Sequence, residues 1–184
     1  MYDRQALIDL LHREALQFGQ FTLASGKTAS FYLDCRKVTL HPQGANLVGA
    51  GMLEALSQMD PPVDAVGGMA IGADPITAAI ITLAGQRGEA LRGFIVRKEA
   101  KEHGTGRQVE GPVQAGQRVV IVEDVITSGG SALKAAEAAR QFGLEIAGVL
   151  AIVDRQEGGR ERLAEAGLPA RSLLTLSDLG IKTS

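Results

Sequence analysis

Glu123 and Asp124 close an apolar run, and shortly after them the chain reads Thr127-Ser128-Gly129-Gly130-Ser131 before turning alanine-rich. Where a strand gives way to a helix, such a turn presents unpaired backbone N–H groups and the positive end of the helix dipole. That is a place for an anion. Glycines allow close backbone approach and positive φ, and hydroxyls add donors. The same residues also read as a plain glycine-rich connection capped by Ser131. The acids separate the two readings, because carboxylates beside a phosphate repel it unless they face sugar hydroxyls or a divalent ion. A sugar phosphate meets both demands. Neither G-x-x-x-x-G-K-S/T nor a G-x-G-x-x-G opening a helix after the first sheet strand is present, so nucleotide-triphosphate and dinucleotide loops drop out.

Positioning these residues falls to a regular alternation that begins near residue 62. It runs strand Asp64 to Gly68, helix Pro75 to Gln86, strand Leu91 to Val96, a polar loop, strand Arg118 to Val122, helix Ser131 to Phe142 and strand Ile146 to Val153. A helix from about Gly159 to Ala166 and a strand from Ala170 to Leu176 finish it. Strands apolar on both faces and separated by helices predict an α/β fold, a parallel sheet flanked by helices. Residues 1 to about 60 read as a small N-terminal hood: an amphipathic helix with Asp3 as N-cap, β-prone residues either side of a Ser-Gly turn in FTLASGKTASFYLD, and a helix from about Pro42 to Met59. One domain spanning 1–184 is expected, with the core sheet over about 62–176.

Ligands of such sheets gather at the carboxyl ends of the strands. Those ends carry GGMAIGAD (Gly67 to Asp74), RKEAKEHGTGRQVEG (Arg97 to Gly111), EDVITSGGS (Glu123 to Ser131) and Asp154-Arg155, four distant segments that would meet at one crevice. Arg155 reads either as a carboxylate-binding guanidinium or as a surface arginine paired with Asp154. Asp74 reads as a cap for the helix starting at Pro75.

Composition narrows the class. With 45% hydrophobic and 22% charged residues and no long unbroken apolar run, a membrane span is not expected. A net charge of −2 removes a global case for nucleic-acid binding. The lone Cys35 has no disulfide partner, and the opening segment does not read as a secretion signal, so a cytoplasmic location is expected. His12, His41 and His103 are spread too widely for a metal site.

VVIVEDVITSGGS resembles the signature of the type I phosphoribosyltransferases, whose strand, paired acids and Thr/Gly loop bind the ribose 5-phosphate of phosphoribosyl pyrophosphate (PRPP). FTLASGKTASFYLDCRKV, RKEAKEHGTGRQVEG and DRQEGG make the resemblance specific to the orotate phosphoribosyltransferases, from Phe18 to Ile181. The resemblance implies PRPP contacts at Arg97, Lys98, Lys101, His103 and the run Glu123, Asp124, Val125, Ile126, Thr127, Ser128, Gly129, Gly130 and Ser131. Lys101, His103 and Asp124 would take part in catalysis, and Thr127 and Arg155 would hold orotate. Mg²⁺ would arrive with PRPP, and not in a protein cage. A homodimer is implied, with loop 99–111 reaching across subunits as a lid that is mobile when empty. Many relatives have a lysine where this chain has Ala24, and Lys27 lies three residues on. A solvated basic loop, a purine or uracil transferase of the same fold, a PRPP-binding regulator and a catalytically silent subunit are the competing readings.

Overall fold

The computed structural model describes residues 2–22, 28–99 and 108–181. Asp3 caps the first helix, α1 (Arg4–Leu10), its Oδ1 accepting from the Ala6 N–H at 3.0 Å. The helix ends earlier than its apolar pattern predicts. A π-helical turn over Leu11–Ala15 leads into β1 (Leu16–Thr22), which pairs antiparallel with β2 (Thr28–Leu33) to form the hood. A short α2 (Arg36–Thr39), unforeseen from the sequence, precedes α3 (Pro42–Leu56), whose N-cap is His41.

The main sheet holds β3 (Ala65–Met69), β4 (Arg92–Val96), β5 (Val109–Glu110), β6 (Arg118–Ile126), β7 (Glu145–Asp154) and β8 (Ala170–Thr175). Their order is β5-β4-β3-β6-β7-β8, parallel except for the two-residue β5 at the edge beside β4. The helices α4 (Ala73–Gln86), α5 (Gly130–Phe142) and α6 (Gly159–Glu165) connect the strands. After β3 the chain moves outward to β4 and then returns to the other side of β3 as β6. The crevice between the carboxyl ends of β3 and β6 is therefore the switch point where such sheets bind ligands.

Side chains of β6 fill both layers. Val120 and Val122 pack with α1, α3 and α4, while Val119 and Ile121 pack with α5 and α6. The alternation then breaks: Val125 joins the first layer and Ile126 the second. Glu123 and Asp124 occupy the break. A regular strand would send neighbouring side chains to opposite faces; here both acids reach one cleft.

Two expected caps are corrected. Helix α4 starts at Ala73 with Gly72 as N-cap, so Asp74 lies inside the first turn, where its Oδ1 is buried without a partner. The N-cap of α5 is Gly129 and not Ser131, with φ 71° and no side-chain cap.

Candidate functional site

A cleft of about 450 Å³ lies at the switch point beneath the hood. Tyr32 and Arg36 enter it from the hood, Met69–Gly72 from the end of β3, Lys98 from beyond β4, Asp124 and Thr127 from β6 and its turn, and Arg155 from beyond β7. A smaller hollow of about 100 Å³ adjoins it, walled by Glu123 and by Val125 to Ala132. Glu123, Val125, Thr127 and Ser131 line both. All four described segments singled out from the sequence therefore meet.

The hollow is shaped by the start of α5. With Gly129 in the left-handed region and no side chain over the helix end, the first-turn N–H groups of a 13-residue helix border the space. A phosphate oxygen fits such a site. The turn rests on α6: Arg162 Nη1 donates to the Ser128 carbonyl at 3.3 Å, and Gly159 passes beneath the Thr127 carbonyl with no room for a Cβ.

Glu123 is 7% exposed. Burial, then the neighbouring Asp124 charge and a hydrogen bond to that carboxylate, push its carboxyl pKa up to about 8. At neutral pH Glu123 is thus protonated beside the Asp124 carboxylate, whose Oδ1 also accepts from the Val125 N–H at 2.8 Å. One buried charge is removed, which lowers the repulsion that two carboxylates would direct at a phosphate. Between pH 4.5 and about 8 the folded chain keeps a proton that the unfolded chain has released, so stability falls as pH rises through that window. The ligand-free protein should melt at a higher temperature at pH 6 than at pH 8.5, and Glu123→Gln should shrink that difference. Calorimetry at the two pH values checks it; an unchanged difference in the variant would assign the effect elsewhere.

Arg155 is held tightly. Its Nε and Nη2 reach Glu157 Oε1 at 3.0 and 2.8 Å, its guanidinium stands 5.0 Å from the centre of the Phe31 ring, and its backbone N–H donates to Ile126 at 2.9 Å. The expected alternative partner, Asp154, is buried and instead accepts from the Gln156 N–H at 2.8 Å. Gln156, at φ 57°, in turn accepts from the Ser177 N–H and hydroxyl at 3.1 and 2.7 Å. The loop carrying Arg155 is pinned from both sides.

Lys98 lines the cleft, whereas Arg97 is exposed outside it, its backbone N–H bonded to the Gln108 carbonyl. Lys101, His103, Ala24 and Lys27 lie outside the described residues. Sequence reasoning missed Arg36 and Glu157; the Asp34-x-Arg36 spacing at a strand end was the available signal for the first. Cys35 borders the cleft but is buried, which pushes its thiol pKa up and leaves it unreactive. Among the described residues no group of three or more His, Cys, Asp or Glu is arranged to hold a metal. No helix among them is long and apolar enough to cross a membrane. A roomier groove of about 600 Å³ between Thr39–Pro42 and α4 is apolar, and its His41 Nδ1 is engaged with the Gln43 N–H. The chemistry-bearing groups are in the cleft.

Residues 64–166 match the phosphoribosyl transferase domain family. An orotate phosphoribosyltransferase of Rhodopirellula baltica is 60% identical over 98% of this chain and 95% of its own length. The crystal structure of Mycobacterium tuberculosis orotate phosphoribosyltransferase in complex with Fe(III) dicitrate superposes with a TM-score of 0.86 at 42% identity, covering 97% of this chain and 99% of that one. The same enzyme in complex with PRPP superposes at 0.81 and 37% identity, over 97% and 99% of the two chains.

Proposed function

The chain belongs to the orotate phosphoribosyltransferase branch of the phosphoribosyl transferase family, and on that footing we propose how its cleft carries the reaction. The enzyme transfers the phosphoribosyl group of PRPP to orotate, forming orotidine 5′-monophosphate on the route to UMP. The C1–oxygen bond to the diphosphate breaks, a ring nitrogen of orotate bonds to C1, and pyrophosphate leaves. The observation that carries the assignment of parts is the continuity of hollow and cleft through Glu123 and Thr127. One PRPP molecule spans them, with its 5-phosphate in the Thr127–Ser131 turn, its ribose hydroxyls on Glu123 and Asp124, and its diphosphate toward Met69–Gly72 and Lys98. Positive charge developing at C1 is then stabilised by Asp124. Arg97 is exposed outside this cleft, and its contact with PRPP rests on the family resemblance.

Arg155 takes the orotate carboxylate, and Thr127 borders the base. Planar, multiply bonded recognition is what a guanidinium offers and an ammonium does not. Arg155→Lys should raise KM for orotate by about tenfold with KM for PRPP nearly unchanged. Steady-state kinetics in both substrates separates the two; an equal loss for PRPP would remove Arg155 from the base site.

Lys101 and His103 neutralise the departing diphosphate, a role that rests on the family resemblance. Mg²⁺ bound through PRPP would supply further neutralisation. The donor set suits that arrangement: the Asp124 carboxylate faces Gly72, where a Cβ would stand 3.6 Å from both carboxylate oxygens. A second copy of the chain, sharing loop 99–111 between subunits, belongs to the same reading. The apolar groove beside the 74% exposed Leu40 offers it a face. Sedimentation of an active monomer would sink that part. Cytoplasmic placement rests on the lone thiol of Cys35.

The decisive assay is the ultraviolet absorbance change on mixing protein with orotate, PRPP and Mg²⁺, beside parallel wells with uracil, adenine, hypoxanthine and guanine. Turnover of orotate alone is expected. Turnover of another base would keep the PRPP site and overturn the base, and silence in every well would favour a PRPP-binding regulator.

A further inference from the structure

Arg36 opens α2 immediately after the hood strand β2, and Asp34 grips it on one edge. Nε reaches Asp34 Oδ1 at 2.8 Å, Nη2 reaches Oδ2 at 3.0 Å, and the Arg36 backbone N–H also donates to Oδ1 at 3.1 Å. Asp34 is itself anchored through its backbone N–H to the Ala15 carbonyl at 3.0 Å. The hydrogen bond from Arg36 holds the Asp34 carboxyl below the usual carboxylate range, so the pair persists across neutral pH. An exposed pair of this kind adds little to folding stability. What it does is orient a cation. The Arg36 side chain remains 58% exposed, and it lines the same cleft as Asp124, Lys98 and the Met69–Gly72 loop. A guanidinium gripped through Nε and Nη2 still has Nη1 to offer an anion.

We propose that Arg36 is a contact for the diphosphate of PRPP, and for pyrophosphate after transfer, reaching it from the hood side opposite the Met69–Gly72 loop. The inference rests on the reading of the cleft as a PRPP site. The diphosphate is favoured over the orotate carboxylate because that group already has Arg155, on the wall carrying Phe31. Arg36 shares its flank with Asp124, whose carboxylate faces Gly72 of the β3 loop. Holding Arg36 by a carboxylate also leaves its net local charge small, so product pyrophosphate is received without being retained.

Arg36→Gln and Arg36→Lys test this in the full chain, by calorimetric titration with pyrophosphate and by steady-state kinetics. In Arg36→Gln the pyrophosphate Kd and the PRPP KM should each rise by about tenfold, with KM for orotate and the melting temperature unchanged. Arg36→Lys should recover part of the loss. Unchanged pyrophosphate and PRPP constants, or a rise confined to orotate, would overturn the assignment. If the parent chain bound pyrophosphate but turned over no orotate, the proposed function would fail, while the titration would still decide the Arg36 contact.

Discussion

Asp124→Asn should lower kcat/KM for PRPP by about 10²- to 10³-fold while leaving the melting temperature close to that of the parent chain. The side chain is half-buried at the break in β6, with Oδ1 bonded to the Val125 N–H. An asparagine keeps the shape and can keep that acceptor, so the fold has little to lose. What disappears is the negative charge that the proposed scheme sets against the ribose. Burial pushes the Glu123 carboxyl pKa up, so Glu123 is a poor substitute for a charge removed at position 124, and no other acid stands on the strand. The loss should fall on PRPP and the chemical step, with KM for orotate changed little. Single-turnover measurements with saturating orotate check this. PRPP kinetics like those of the parent chain would return both acids to a structural role.

Gly159→Ala should be nearly as damaging, although Gly159 touches no substrate in the proposed scheme. A Cβ at this position meets the backbone carbonyl of Thr127, which opens the turn that the proposed scheme gives to the 5-phosphate, and the side chain of Ile126 at the end of β6. Backbone yields only by moving, and overpacking of this kind costs about 1 to 3 kcal/mol. Displacement of a binding loop by about 1 Å can cost on the order of 10²-fold in rate. The expected result is a lower melting temperature together with an increased KM for PRPP. A variant that melts earlier but uses PRPP normally would show that the turn is positioned without α6.

Much of this architecture is legible in the residues alone. The near-continuous apolar runs of β3, β6 and β7 report burial on both faces, and burial on both faces demands helices above and below a parallel sheet. The turn at Thr127–Ser131 was legible because glycines and hydroxyls between a strand and a helix have few other uses. Where local signals are weak or double, the fold departs from the pattern. The first half of the LQFGQFT strand was hidden because α1's apolar pattern runs on toward it, and a π-helical turn, not a break in composition, ends the helix. The two-residue β5 exists because β4 offers it an edge, which no pattern within residues 109–110 could announce.

Residue type and spacing specify the layered α/β fold, the glycine- and hydroxyl-rich turn and the segments that converge, because each is written along one stretch of chain. Tertiary structure alone decided which groups face one another. It set Arg155 against the Phe31 ring, brought Arg36 from the hood to the cleft, placed Gly159 beneath the Thr127 carbonyl and buried Glu123 deeply enough to keep its proton. Those outcomes depend on strand order and on packing between segments far apart in the chain. Local periodicity records whether a residue is buried; it carries no information about which distant residue buries it.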